Sequence, residues 1–440
     1  MKRPLLLLAA CACALAAALS CTTGPRTADG HTVPERVMGV YLPYHDTVAP
    51  APGAPEGYRT CYISHYGRHG SRYLLDEDQY ASVRDVLARA AADGALTPTG
   101  RKIHAELLGI YPQFEGRAGM LTGIGAAQHR AIARRMARRH PSAFERDAAV
   151  KATTSATART RESMEAFCAQ LQLCCPALRI TCATDAALNP YSAGSGIATE
   201  YDLTVKSPEA AWRPEYEAFC RQRIDAEGFA ARIFSDTEYA AGLCDLTEFE
   251  QGIFRLAIHF RGCGIDADWL RLFTLDELNT LAACDAYTFY MEKGPAAATS
   301  DRTWALSAHI LDKMLTDAER DLADGTAASL RFGHDGCIMA LLTLMGADGW
   351  TAQAATGEEI ARAWDVSQIP MACNLQWVFY RPVSEEGEPL VRVLLNERPL
   401  RLPVTDRAGL CEWSGMKRYL AERCDIAFAI LNERRTPNNL

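Results

Sequence analysis

Tyr62-Ile63-Ser64-His65-Tyr66-Gly67-Arg68-His69-Gly70-Ser71-Arg72-Tyr73 is the stretch that decides how the rest of this 440-residue chain is read. An apolar run ending at Gly67 predicts a buried strand. After it a loop presents two arginines flanking a histidine, with a glycine that lets backbone approach a ligand. Arginine's planar fork of donors matches two oxygens of an anion at once. A histidine held between two such cations loses affinity for its own proton. The stretch therefore predicts an anion site holding a neutral, nucleophilic imidazole.

Working outward, apolar residues at helical spacing predict helices over 76–92, 97–108 and 126–140. The last of these carries Gln128, Arg130, Arg134, Arg135, Arg138 and Arg139, which read as a solvated face. A second strand, 149–154, leads through Ser155 and Thr157, hydroxyls suited to capping, into a helix with Arg159 in its first turn. Strand character returns at 328–332, breaks at Gly333-His334-Asp335-Gly336 and resumes as an apolar helix over 337–345, with Asp335 as a natural N-cap. Three segments thus share one layout of strand, polar groups and helix. This is the pattern of an α/β open sheet core flanked by helices, in which ligands gather beyond the carboxyl ends of the strands. Between them, 171–324 has few strand-like runs and helical periodicity at 215–233, 246–260, 275–291 and 304–322. It reads as a mainly α-helical inserted domain between core segments 37–170 and 325–440. Runs 374–380 and 390–395 read as a hairpin turning through 385–389, and 411–431 as the last helix.

Residues 1–20 begin with Lys2 and Arg3 and continue without charge, the pattern of a secretory signal peptide. Ala18-Leu19-Ser20-Cys21 resembles a bacterial lipobox, which makes Cys21 the expected site of lipidation and puts the protein in the periplasm or at the cell surface. Residues 21–36 read as a tether without fixed structure. A formal charge of −8 excludes a general nucleic-acid binder, so any basic site must be local. Setting aside Cys11, Cys13 and Cys21, the remaining cysteines are odd in number and show no zinc spacing. Cys61 and Cys337 read as small core residues, and oligomeric state is not encoded in any pattern found.

Arg68, His69, Gly70 and Arg72 resemble the RHGxRxP signature of the histidine phosphatase superfamily, in the branch of acid phosphatases, phytases and multiple inositol polyphosphate phosphatases. Leu74 replaces the proline. The Leu121, Thr122, Gly125, Gln128 spacing, the Ser155, Arg159, Ser163, Phe167 spacing and the His334-Asp335 pair are similar to further segments of the histidine acid phosphatases. The resemblance implies that His69 is the nucleophile, that Arg68, Arg72, Arg159 and His334 bind phosphate, and that Asp335 is the proton donor. Inositol polyphosphate phosphatases of the animal type carry His, Ala, Glu where this chain has His334-Asp335-Gly336. The expected activity is phosphomonoester hydrolysis through a phosphohistidine without metal or cofactor, on a small-molecule phosphomonoester. Phytate is the leading substrate, with Arg101, Lys102, Arg130 and Arg134 as an outer basic patch. A broad acid phosphatase or sugar phosphatase is the alternative, and a non-catalytic polyanion-binding lipoprotein or a phosphomutase stands further off.

Overall fold

The computed structural model describes residues 25–432 except 46, 47, 50, 146, 300, 301, 385 and 386. The signal peptide, Cys21 and the centre of the hairpin turn lie outside these. One mixed sheet is built from β1 (Tyr58–Arg68), β2 (Ala149–Thr154), β3 (Arg179–Thr184), β4 (Ala328–Gly333), β5 (Asn374–Pro382), β6 (Leu390–Leu395), β7 (Arg398–Pro399) and β8 (Leu410–Glu412). Its order is β3-β2-β4-β1-β5-β6-β7, with β8 paired to β6. β3, β2, β4 and β1 run parallel, and β5 and β6 complete the sheet as an antiparallel pair.

Alternation along β1 sends Tyr62 and Tyr66 to one face and Ile63 to the other, as a strand buried on both sides requires. On the Ile63 face, Ile132, Met136, Phe167 and Leu171 of helices Gly123–Arg139 and Ala158–Cys174 pack against Val150, Leu330 and Phe332. On the Tyr62 face, helices Ala308–Asp324, Asp335–Leu344 and Trp413–Leu431 supply Leu311, Met314, Ile338, Leu342, Met416 and Leu420. A third core is mainly helical. In it Tyr80, Leu87, Ile103 and Leu107 pack with Phe229, Ile233, Ile253, Phe254 and Leu278.

Several expectations change. Helices Asp78–Ala92 and Pro98–Ile110, assigned by position to the α/β part, share their apolar core with the inserted segment. In the other direction β3 falls inside 171–324 yet forms the edge of the sheet. It is polar and largely exposed, so it carries no apolar run to announce it. The periodicity over 215–233 is two helices, Arg213–Arg223 and Ala226–Ile233, broken where Asp225 caps the second by accepting from Gly228 N at 3.1 Å. The stretch 304–322 likewise splits into Arg302–Ala305 and Ala308–Asp324.

The described part of the expected tether is docked. Arg26 bridges Thr32, Ala28 N donates to Phe273 O at 2.7 Å, and Thr27 and Val33 are buried. Short polar sequence hides such docking because the bonds are backbone to backbone. The arginine-rich helix is a solvated face only in part, with Arg130, Arg134 and Arg138 exposed. Arg135 and Gln128 are buried, and Arg135 Nη2 donates to Glu397 Oε1 at 2.7 Å.

Two glycines fix how the first loop meets the helix Gly123–Arg139. A Cβ on Gly125 would stand 2.2 Å from Ser71 O, and one on Gly70 would stand 2.4 Å from Gly125 O. Neither neighbour is a yielding side-chain tip, so the backbones must part if a methyl is added. Gly125→Ala is expected to cost about 1–3 kcal/mol and to lower the urea midpoint at unchanged m. A variant as stable as the native protein would show that this contact is not tight.

Candidate active site

β2, β4 and β1 are neighbours and parallel, so their carboxyl ends lie side by side. Arg68 is in register with Gly333, and Thr154 with Phe332. The ladders continue into the loops, with His69 N donating to Gly333 O at 3.0 Å and Ser155 N to Phe332 O at 2.9 Å. The topology therefore carries all six predicted residues, Arg68, His69, Arg72, Arg159, His334 and Asp335, to one edge of the sheet.

His69 is buried and its Nδ1 lies 2.9 Å from Gly70 O. As the donor in that bond Nδ1 holds the ring proton, which leaves the Nε2 lone pair free. Burial first, then the charges of Arg68, Arg159, Arg72 and His334, hold its pKa well below the ordinary histidine value. The same cations that would draw in an anion thus keep the imidazole neutral. The rings of His69 and His334 are 5.7 Å apart.

Arg68 is fully buried and is less free than a two-pronged clamp requires. Its Nη1 donates to Val40 O at 2.6 Å and Ile369 O at 2.9 Å, and its Nη2 lies 2.8 Å from Asp335 Oδ2. Arg72 spends Nη1 on Tyr73 O and stacks over the Tyr41 ring. Nε of Arg72 and Nε of Arg159 are buried without a hydrogen-bond partner among the described residues, two donors that an anion would satisfy. Burial and the Arg72 charge push Arg159 down to about 10.

The hydroxyls of Ser155 and Thr157 do not cap the helix Ala158–Cys174. They lie 3.1 and 3.3 Å from His334 Nε2 and orient that ring. Burial, then Arg159, push His334 down to about 3. Asp335 is the first residue of its helix rather than the cap, and its Oδ1 accepts from Gly336 N at 2.7 Å. Burial alone would raise its pKa, but Arg68, Arg72 and the Gly336 N–H hold the carboxyl well below the usual range.

A supporting layer had only partial sequence signals. Ser71 N donates to Gln128 Oε1 at 2.9 Å, Gln128 Nε2 to Ser71 Oγ at 3.0 Å, and Gly70 N to Ser163 Oγ at 3.1 Å. Three of the outer basic residues are engaged elsewhere. Arg101 donates to Leu96 O, Lys102 pairs with Glu106 and Arg134 donates to Gln170. A cation that does act on the site, through His334, is Lys206 from the inserted segment, which no sequence pattern marked.

Acid stability follows from this burial. His65, His129, His259 and His334 are held at about 3 and His140 at about 4, in each case first by burial. An unfolded histidine takes its proton near pH 6.5, so below that the unfolded state binds more protons and folding weakens. The contribution is whole above about 6.5 and drains away toward 3. We expect the urea midpoint to fall steadily from pH 7 to pH 4.5, and His129→Leu to flatten part of that slope. A midpoint level across this window would mean that the buried imidazoles are protonated in place.

No model of a known protein family matches the sequence. Human multiple inositol polyphosphate phosphatase 1 is 23% identical over 361 residues, which is 76% of this chain and 74% of that protein. Among solved structures, the Bifidobacterium longum multiple inositol polyphosphate phosphatase in complex with phosphate aligns with a TM-score of 0.70 at 22% identity, over 88% of this chain and 98% of that one. The phytase of D. castellii aligns with a TM-score of 0.69 at 13% identity, over 91% and 88%. The chain is thus homologous to the human phosphatase and shares the fold of these enzymes, in keeping with the resemblance to the histidine acid phosphatases.

Proposed function

We propose that the protein is an exported phosphomonoesterase that works through a phosphohistidine, with inositol polyphosphates such as phytate as its leading substrate. The observation that carries the chemistry is a buried, neutral His69, its Nδ1 fixed on Gly70 O, inside a ring of cations that ends at Asp335. The substrate class rests on the relatives, one named for inositol polyphosphates and one a phytase. Export rests on the N-terminal sequence. Among the described residues no helix is long and apolar enough to cross a membrane, so a lipid on Cys21 would be the means of attachment.

The phosphoryl group settles between Arg72, Arg159 and the Nη2 edge of Arg68, which cancel the charge that repels a nucleophile, with the neutral His334 ring beside it as a hydrogen-bonding group. Nε2 of His69 attacks phosphorus in line, the P–O bond to the leaving group breaks, and Asp335 gives its proton to the departing alkoxide. Water then attacks the phosphohistidine. Asp335 takes a proton from it, the P–N bond breaks, and phosphate leaves with His69 regenerated.

Asp335 meets a conflict on the way, because the cations that bind phosphate also hold its carboxyl ionised. A phosphate dianion among them offsets their field and lets the carboxyl accept a proton. The acid is thus armed by the substrate, and the optimum should lie below neutrality.

His69→Ala is expected to abolish turnover and the acid-labile label that the native protein retains after an alkaline quench with radiolabelled ester. Full turnover in that variant would falsify the mechanism. Arg159→Ala should lose about 10²–10³ in kcat, the usual effect of removing a preorganised donor. Asp335→Asn should lose far more activity on alkyl phosphates than on p-nitrophenyl phosphate, whose leaving group departs without a proton. Equal losses would reduce Asp335 to a partner of Arg68. For the substrate, kcat/KM on phytate should exceed that on glucose 1-phosphate and p-nitrophenyl phosphate. A different ranking returns the protein to the broad acid phosphatases, which the His334-Asp335 pair equally resembles.

A further inference from the structure

Lys293 closes the helix Leu275–Lys293, and its side chain is only 4% exposed, a rare setting for an amine. The stem lies along the first turn of the helix Asp335–Leu344. A Cβ on Gly336 would stand 2.6 Å from Lys293 Cε and 3.1 Å from Cδ, so residue 336 is glycine because the lysine fills that space. The ammonium ends over Tyr191, 3.5 Å from the ring centroid. Nearby carboxylates are committed to arginines, Glu292 to Arg213 at 3.7 Å and Asp202 to Arg302 at 2.8 Å. A helix N-terminus is itself an unfavourable place for a cation. What favours the charge there is the Tyr191 ring together with Glu292, Cys337 and Asp335, and of these Asp335 opens the helix turn on which the lysine stem lies.

We propose that Lys293 is a positioning residue for the proton donor: lodged against the first turn of the helix that Asp335 begins, its ammonium adds to the arginines in stabilising the Asp335 carboxylate and so lowers the pH above which the donor is spent. This rests on the function proposed above. The charged and titratable groups that face Lys293 are Lys206 and Asp202 from the inserted segment, Glu292 on its own helix, and the Cys337 thiol and Asp335 on the helix it touches. Arg68, Arg72, Arg159 and His334 face Asp335 in turn. Burial first, then Lys206, bring Lys293 down to about 7, while Glu292, Cys337 and Asp335 pull the other way. Below neutrality, where the enzyme is expected to work, the lysine is therefore charged. Because Asp335 favours charged Lys293, charged Lys293 favours ionised Asp335 by the same amount.

Lys293→Met keeps the stem and removes the charge. In that variant the alkaline limb of kcat on glycerol 2-phosphate, which reports the enzyme–substrate complex, should move up by a fraction of a pH unit, less than the roughly one unit of a charge in direct contact. The limb on p-nitrophenyl phosphate should move far less, and Lys293→Arg should return the limb toward its native position. Lys293→Gln serves as a second neutral replacement should the methionine variant misfold, with circular dichroism and Tm as the check. A limb on glycerol 2-phosphate that stays in place in a folded neutral variant overturns the inference, and so do equal shifts on the two esters, which would assign Lys293 to phosphate binding. A native protein that releases phosphate from no ester overturns the proposed function itself. An active one whose limb ignores Lys293 overturns only this inference.

Discussion

The contact on which the site depends is the buried pair of Arg68 and Asp335. One ends β1 and the other begins the helix after β4, so their 2.8 Å contact ties two neighbouring strand ends together. A guanidinium removed wholly from water is costly unless its donors are met; here two backbone carbonyls take Nη1 and the Asp335 carboxylate lies against Nη2, while Nε has no hydrogen-bond partner among the described residues. The carbonyls of Val40 and Ile369 come from segments far apart in sequence, so the arginine also gathers the floor of the site. Losing either partner would leave the other buried and unmatched, a larger penalty than the pair's own net worth.

Around that pair the protein concentrates positive charge without surrounding it by compensating acids. The field has opposite meanings for the two reacting groups. It leaves the His69 imidazole neutral, as the proposed attack requires, and it keeps Asp335 ionised, against the proton it gives in that proposal. Neither a more cationic nor a more neutral pocket would serve both. In the proposed mechanism the ligand's own charge resolves the opposition, which would tune the site to dianionic esters rather than to anions in general.

The strands that carry the site were legible because each ends in an apolar run followed by polar residues and a helix. The six residues came from motif spacing, and their convergence follows from the order β2-β4-β1, which local sequence does not encode. What sequence missed shares one cause, namely stabilisation by distant partners. β3 is polar because an edge strand needs no apolar face. Arg135 belongs to an arginine-rich helix but is paired with Glu397, 262 positions away. Lys206 and Lys293 matter to the site only because the inserted segment folds back onto the helix that Asp335 begins. Ser155 and Thr157 have the right chemistry for caps and are claimed instead by His334.

The docked N-terminal segment changes the geometry of attachment. With residue 25 already part of the body, a lipid on Cys21 would be joined to the folded protein by four links rather than sixteen. At roughly 3.5 Å per residue those links reach about 14 Å at full stretch. The enzyme would then ride close against the bilayer with little freedom to turn over. Its orientation toward arriving substrate would be set by the face on which Thr27 and Val33 are buried, not by diffusion on a long leash.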